Sequence, residues 1–287
     1  VRYGGPPGTF GAYDPLVALG ALARETRRVR LGTLVLCAPL RAATVVAKTL
    51  ATIDVVSNGR LLVGIGAGWY EPELALVGKD GERPPVRLAR LAEQVQVLKG
   101  MFSGGPFTFA GDHERATNAW CLPRSVQEPG PPIWVGGKGD RLLELVARHA
   151  DGWNAVWQWT PDKYSERLRT LDAACERLGR DPSTVTRSLG LYALVGEDEG
   201  DLRRRFERLR NLTPPGVLED VSLADWRRGR LVGTPEQVQE QLSVWAALGV
   251  ETLVVSPGAL PFAIASGDDV ELLAETCSLS VNGNRSA

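Results

Sequence analysis

The chain has 287 residues, 44% of them hydrophobic, with 32 glycines and 19 prolines, the composition of a globular chain with a sizeable core, and one large domain is expected. Lys plus Arg numbers 33 against 34 for Asp plus Glu, so no overall field draws the chain onto nucleic acid or an anionic membrane, and its partners are expected to be small molecules. Arg, Gly or Pro breaks each apolar stretch well short of the roughly 20 residues that cross a bilayer, and no basic segment followed by an apolar run opens the sequence, so a cytoplasmic location is expected.

Asp14 and Pro15 read as N-cap and first turn of a helix to about Thr26, followed by a strand from Val29 to Leu36. A helix from Ala42 to Val56 stops at Ser57-Asn58-Gly59 and leads into a strand from Leu61 to Gly66. The stretch LLVGIGAGW, Leu61 to Trp69, breaks from an apolar run into closely spaced glycines, as a buried strand does where it opens onto a ligand. An insertion over residues 71–132 follows: polar from Glu71 to Pro85, helical in spacing from Val86 to Met101, turn-rich from Ser103 to Pro132.

A strand from Pro132 to Val135 ends in Gly136-Gly137-Lys138-Gly139, a helix spans Asp140 to His149, a strand Gly152 to Trp157, and a helix Pro161 to Leu178. Beyond it come a strand from Ser188 to Val195, a charged helix from Leu202 to Arg210, a helix from Gly233 to Leu248 and a strand from Glu251 to Ser256. Thr234 to Gln237 has the form of a capping box with Pro235 at the first helical position. Alternating β and α units imply a parallel sheet or barrel, taken as one domain over residues 1–279 with a disordered tail at 280–287.

Cys37, Cys121, Cys175 and Cys277 form no C-x-x-C pair, and His113 and His149 stand alone, so no metal site is expected. A Rossmann reading of the first glycine turn is weak, because its spacing is GxGxG and no helix follows promptly. The glycines at 64, 66 and 68 either admit a planar ring or phosphate or simply make a tight turn. Gly136 to Gly139 precede a helix, so their N–H groups and the helix dipole suit a phosphate, with Lys138 adding a charge; an unliganded N-terminal turn is the plainer alternative.

Trp153, Asn154, Trp157 and Trp159 cluster at one strand end and read as pocket wall, with Trp69 and Trp120 as further candidates. His149, ending a helix, reads as a structural cation on the dipole. The run Arg203, Arg204, Arg205, Arg208 and Arg210, interleaved with acids, reads as a solvated helix face. Glu71 and Glu73 read as loop-positioning acids.

Four blocks, LGTLVLCAPLR, NGRLLVGIGAGWYEPE, PPIWVGGKGDRLLELVARHADGWN and VGTPEQVQEQL, resemble the bacterial luciferase-like flavin and deazaflavin oxidoreductases, in the family's order and over nearly the whole chain. The third block, with NAWCLPRSVQEPG before it, is most similar to the branch that uses coenzyme F420, a deazaflavin. The resemblance implies an α/β fold of the (β/α)8 type whose active site lies at the C-terminal strand ends. It implies a non-proline cis peptide between Leu34 and Val35 against the ring and cofactor contacts at Ala67, Gly68, Gly136, Gly137, Lys138 and Gly139; the residues themselves give the substrate pocket as Trp69, Trp153, Asn154 and Trp157.

The first strand here resembles the family's third, and the family's catalytic histidine, on an earlier Asp-His element, has no counterpart, so the barrel is expected without its first two βα units and the catalytic residue stays unassigned. A misplaced start or fragment, a truncated inactive homologue and a rearranged barrel are the alternatives. The implied function is hydride transfer between F420 and a small organic substrate. The rivals are an FMN-dependent monooxygenase and a non-catalytic flavin-binding homologue. The family's habit of pairing implies a homodimer.

Overall fold

The computed structural model describes residues 13–214, 216–259 and 265–283. The chain divides into two compact units, the first holding residues 1–153 and 171–186, the second 154–170 and 187–287.

In the first unit Asp14 caps α1 (Pro15–Glu25), its carboxylate accepting from the N–H groups of Leu16 and Val17. α2 (Ala43–Ser57) ends at Asn58 in the left-handed conformation, with Gly59 also at positive φ, the stop that Ser57-Asn58-Gly59 announces. The expected strand over residues 29–36 is interrupted. It appears as β1 (Leu31–Gly32) and β2 (Leu36–Cys37), both pairing in parallel with β3 (Leu61–Gly66). Gly32 lies opposite Leu62 and Leu36 opposite Ile65, so four steps on one strand face three on the other. One residue is therefore extra, a bulge.

Thr33 fills that gap. Its hydroxyl donates to the Gly64 carbonyl at 2.7 Å and accepts from the Gly64 N–H at 3.1 Å, replacing ladder bonds that the bulge removes. The peptide between Leu34 and Val35 is cis, at the position the resemblance implies. β6 (Ile133–Gly136) pairs in parallel along the other edge of β3, with Ile65 opposite Val135. Leu50, Leu61, Val63, Ile65, Ile133 and Val135 are fully buried, and α1, α2, α4 (Pro84–Phe102) and α5 (Asp140–His149) pack in succession beside these strands. Arg60 braces the helix ends, its guanidinium donating to the carbonyls of Ala23, Thr26, Val29 and Ser57.

The insertion carries more order than its polarity suggests. A short α3 (Glu71–Ala75) precedes α4, and β4 (Phe107–Ala110) and β5 (Arg115–Ala119) form an antiparallel hairpin. Buried Asp54 accepts from Val126 and Gln127, tying the segment before β6 to α2.

β7 (Gly152–Val156) and α6 (Pro161–Arg177) each contribute to both units. The second unit is built on β8 (Thr186–Val195), which pairs in parallel with β10 (Thr252–Ser256) along one edge and with β9 (Leu231–Gly233) at its far end. α7 (Glu199–Leu212), α8 (Leu223–Arg227) and β9 close a core of Tyr192, Leu194, Leu202, Phe206, Leu209, Trp226 and Val232. The capping box opens α9 (Pro235–Ala247), Gln237 accepting from the Thr234 N–H at 3.0 Å.

One expectation needs correction here. The arginine run of α7 is more than a solvated face: Arg205 and Arg208 both donate to Asp269, almost fully buried on α10 (Gly267–Gly283). Of the tail expected over residues 280–287, residues 280–283 belong to α10, and residues 284–287 lie outside the described residues.

A Cβ at Gly64 would stand 2.0 Å from the Thr33 carbonyl oxygen. Gly64→Ala must therefore move backbone and is expected to lose about 1–3 kcal/mol or more, read as a lower urea midpoint at unchanged m-value. A midpoint within error of the parent's would remove the bulge from the account.

Candidate active site

The strand ends of the first unit bring the cofactor candidates together. Cys37 ends β2 opposite Gly66, the end of β3, and a Cβ at Gly66 would meet the Gly136 carbonyl at 3.6 Å. The turns Gly66-Ala67-Gly68 and Gly136-Gly137 thus leave neighbouring parallel strands at the same level. Beside them apolar side chains face outward: Leu34 is 40% exposed, Val35 37% and Trp69 77%. Exposed apolar groups gathered at strand ends suit the face of a flat ring.

Of the two readings the sequence leaves open for these glycines, the tight turn has a direct steric ground. A Cβ at Gly66 would lie 2.8 Å from Val35 Cγ2, and one at Gly68, at φ +78°, would lie 2.7 Å from Cys37 Sγ. Gly137, at φ +150°, is hemmed by Leu142. Protein atoms already fill the space beside these three, so the plain reading of tight turns accounts for their lack of side chains. Gly139 differs, with open space where a Cβ would stand.

Gly139 is the N-cap of α5 and offers no side chain to its first-turn N–H groups. Lys138 is exposed beside it, while Asp140 occupies the first turn. An exposed helix start with an adjacent lysine can hold a phosphate. Trp153, expected in the pocket wall, is instead fully buried, and its indole N–H donates to the Gly137 carbonyl at 2.8 Å. It supports the turn from behind.

Neighbouring acids and thiols serve the loops. Glu71 accepts from the Gly81 N–H at 3.0 Å and from Arg87 at 2.7 Å, and these bonds hold its carboxyl below the usual range. Burial, reinforced by the negative charge of Glu73, pushes the Cys37 thiol up to about 11. His149 departs from the expected helix-end cation: burial, then the charges of Arg148 and Lys99, push its pKa down and favour the neutral ring. His113 lies on the hairpin connection, which Glu93 ties down by accepting from its backbone N–H.

In the second unit Asn154 is buried, its amide donating to the Ser188 hydroxyl at 2.8 Å while its Oδ1 has no partner among the described residues. Trp157 stacks on Tyr192 with centroids 4.9 Å apart and planes 22° from parallel. Trp159 is buried edge-on to Tyr164, and Trp120, in the first unit, is exposed. Sequence reading missed Thr33, Tyr192 and Arg230, since their importance rests on register between distant strands.

The profile of the luciferase-like monooxygenase family matches residues 2–252. The chain belongs to this family. Among luciferase-like relatives, the chain is 27% identical to an F420-dependent hydroxymycolic acid dehydrogenase of Mycobacterium tuberculosis, over 89% of this chain and 70% of that protein. It is 23% identical to an FMNH2-dependent dimethylsulfone monooxygenase of Pseudomonas putida, over 88% of this chain and 76% of the other. The crystal structure of monooxygenase RslO1 from Streptomyces bottropensis shares the fold, with a TM-score of 0.76, 24% identity and coverage of 93% of this chain and 83% of that one. The luciferase-like assignment thus spans two cofactor chemistries. No helix among the described residues is long and apolar enough to cross a membrane.

With its pKa near 11, Cys37 is almost wholly protonated at pH 8 and is expected to alkylate with iodoacetamide at least tenfold more slowly than an unperturbed thiol. Mass spectrometry of the labelled peptide measures this; labelling at the free-thiol rate would show that Cys37 is an accessible thiolate.

Proposed function

We propose that this protein is a luciferase-like oxidoreductase that transfers a hydride between coenzyme F420 and a small organic substrate, on a fold of the (β/α)8 type. The observation that carries the reading is the convergence of the β2, β3 and β6 ends: Val35, part-exposed like Leu34 before it, lies against Gly66 at the start of the Ala67-Gly68 turn, with the exposed start of α5 following the end of β6. An apolar platform adjoining a phosphate-compatible helix start has the polarity of a flat ring carrying a phosphorylated arm. The residues present fit the group.

Leu34, Val35, Ala67 and Gly68 would hold the ring, and Gly136, Gly137, Lys138 and Gly139 the phosphate. Asp140 in the first turn of α5 works against an anion there, which makes Lys138 the charge that offsets it. Bound deazaflavin supplies the hydride chemistry. The chain's own part is to press one ring face against Leu34 and Val35 and leave the other to substrate. Trp69 would form the substrate side of this unit, while Trp153 acts through Gly137.

The Pseudomonas relative supports a second reading, in which the same strand ends would hold reduced FMN, the group that would supply monooxygenase chemistry. Fluorescence titration separates the two. The first predicts saturable quenching of F420 and no effect on FMN; quenching of FMN alone would overturn it in favour of the second. Lys138→Ala is expected to weaken F420 about fivefold, roughly the 1 kcal/mol of an exposed charge at a helix start, with the loss shrinking at high salt. An unchanged affinity would move the phosphate elsewhere.

A further inference from the structure

The segment Trp226 to Arg230 carries three arginines, and the second unit treats them differently. Arg227 donates to both carboxylate oxygens of Glu199, at 2.8 and 2.7 Å, and Arg228 lies 3.5 Å from Asp225. Arg230 has no carboxylate at salt-bridge distance among the described residues. Its guanidinium lies 5.2 Å over the Trp226 ring, and its Nη1 donates to the carbonyls of Trp226 at 2.8 Å and Arg228 at 3.2 Å. Nε is buried without an acceptor, and Nη2 has none among the described residues. Nε and Nη2 form the edge with which an arginine clasps a carboxylate in two parallel bonds.

Among the described residues the surroundings lack the negative charge that a half-buried cation calls for. Tyr192 precedes Ala193, which pairs with Leu231, so Tyr192 and Arg230 are neighbours in register. Burial raises the Tyr192 pKa and lowers that of Arg230, so near neutrality the phenol keeps its proton and offers an O–H, not a counter-charge. The Trp226 ring compensates only in part.

The place is also the end of the strands. Tyr192 pairs with Ser256, the last residue of β10, and Trp157, directly after β7, stacks on the Tyr192 ring. The connection after β7 is pinned here: Gln158 holds φ +60°, the Trp159 N–H donates to the Gly229 carbonyl at 3.1 Å, and a Cβ at Gly229 would come within 3.2 Å of that backbone. A non-glycine residue held at positive φ needs support from its surroundings, and such positions cluster at functional sites. A cation with a free fork, a hydroxyl donor and an aromatic pair converge.

We infer that Arg230 and Tyr192 form a subsite for the carboxylate of a small organic acid, with Trp157 as the platform for its carbon skeleton. One fork and one hydroxyl match the two oxygens of a carboxylate, whereas a phosphate dianion has more oxygens than these donors satisfy. The inference rests on the oxidoreductase reading for its meaning, naming an organic acid as the substrate class, but its test needs no turnover.

Benzoate and its neutral analogue benzamide are titrated against the full chain by tryptophan fluorescence, with F420 titrated in parallel. Benzoate is expected to bind at least tenfold more tightly than benzamide; Arg230→Gln should abolish that preference and Tyr192→Phe should weaken benzoate about threefold. Arg230→Lys, which keeps the charge and loses the fork, should bind benzoate at least threefold more weakly, and decides the matter should circular dichroism show the glutamine variant unfolded. Equal affinity for the two compounds, no detectable benzoate binding, or unchanged benzoate affinity in the lysine variant overturns the subsite. Benzoate preference without F420 binding would strike the cofactor reading and leave the subsite standing; F420 binding without benzoate preference would do the reverse.

Discussion

A single threonine hydroxyl, bonded both ways to the backbone of Gly64, holds the extra residue between β1 and β2 in register with β3. The bulge turns Leu34 and Val35 outward while Leu31 and Leu36, on either side, stay buried. Glycines at 64, 66 and 68 follow from it, since each faces an atom of the segment Thr33 to Cys37 at a distance no side chain tolerates. The same backbone arrangement thus dictates a glycine-rich strand and exposes an apolar platform at its end. Trp153 performs the corresponding service for β6, its indole fixing the Gly137 carbonyl behind the start of α5.

Much of the fold is legible because local signals agree with the packing. Asp14 before Pro15, the Asn58-Gly59 stop and the Thr234–Gln237 box each locate a helix end, and the apolar runs at Leu61, Ile133 and Ser188 each become strands. What escapes reading depends on distant partners. A run such as Val29 to Leu36 looks like one continuous strand, and only its register against β3 breaks it in two. β4 alternates but is only four residues long within a turn-rich stretch, its partner β5 is polar and mostly exposed, and the three-residue β9 is too short to register at all.

The site is legible in position more than in cause. Glycine turns at the ends of β3 and β6 stand side by side, as two similar strand endings suggest, yet the room they leave is taken largely by Val35, Cys37 and Leu142. Residues chosen for chemical character behave variously: Trp153 is a support, His149 is held neutral by burial, and Glu71 ties down a loop. Arg230 passes unnoticed in a chain with 33 Lys and Arg residues, because its distinction is that no carboxylate among the described residues pairs with it. Absent partners cannot be read from sequence.

The central claim is that the platform of Leu34 and Val35, raised by the Thr33–Gly64 lock, receives the ring of a deazaflavin whose phosphate lies at the start of α5. A crystal structure of the protein soaked with F420 tests it most directly. The account requires one ring face in van der Waals contact with Leu34 and Val35 and phosphate oxygens within hydrogen-bond reach of Gly137 to Gly139. Density for the cofactor anywhere else, or a ring reaching neither side chain, would contradict it.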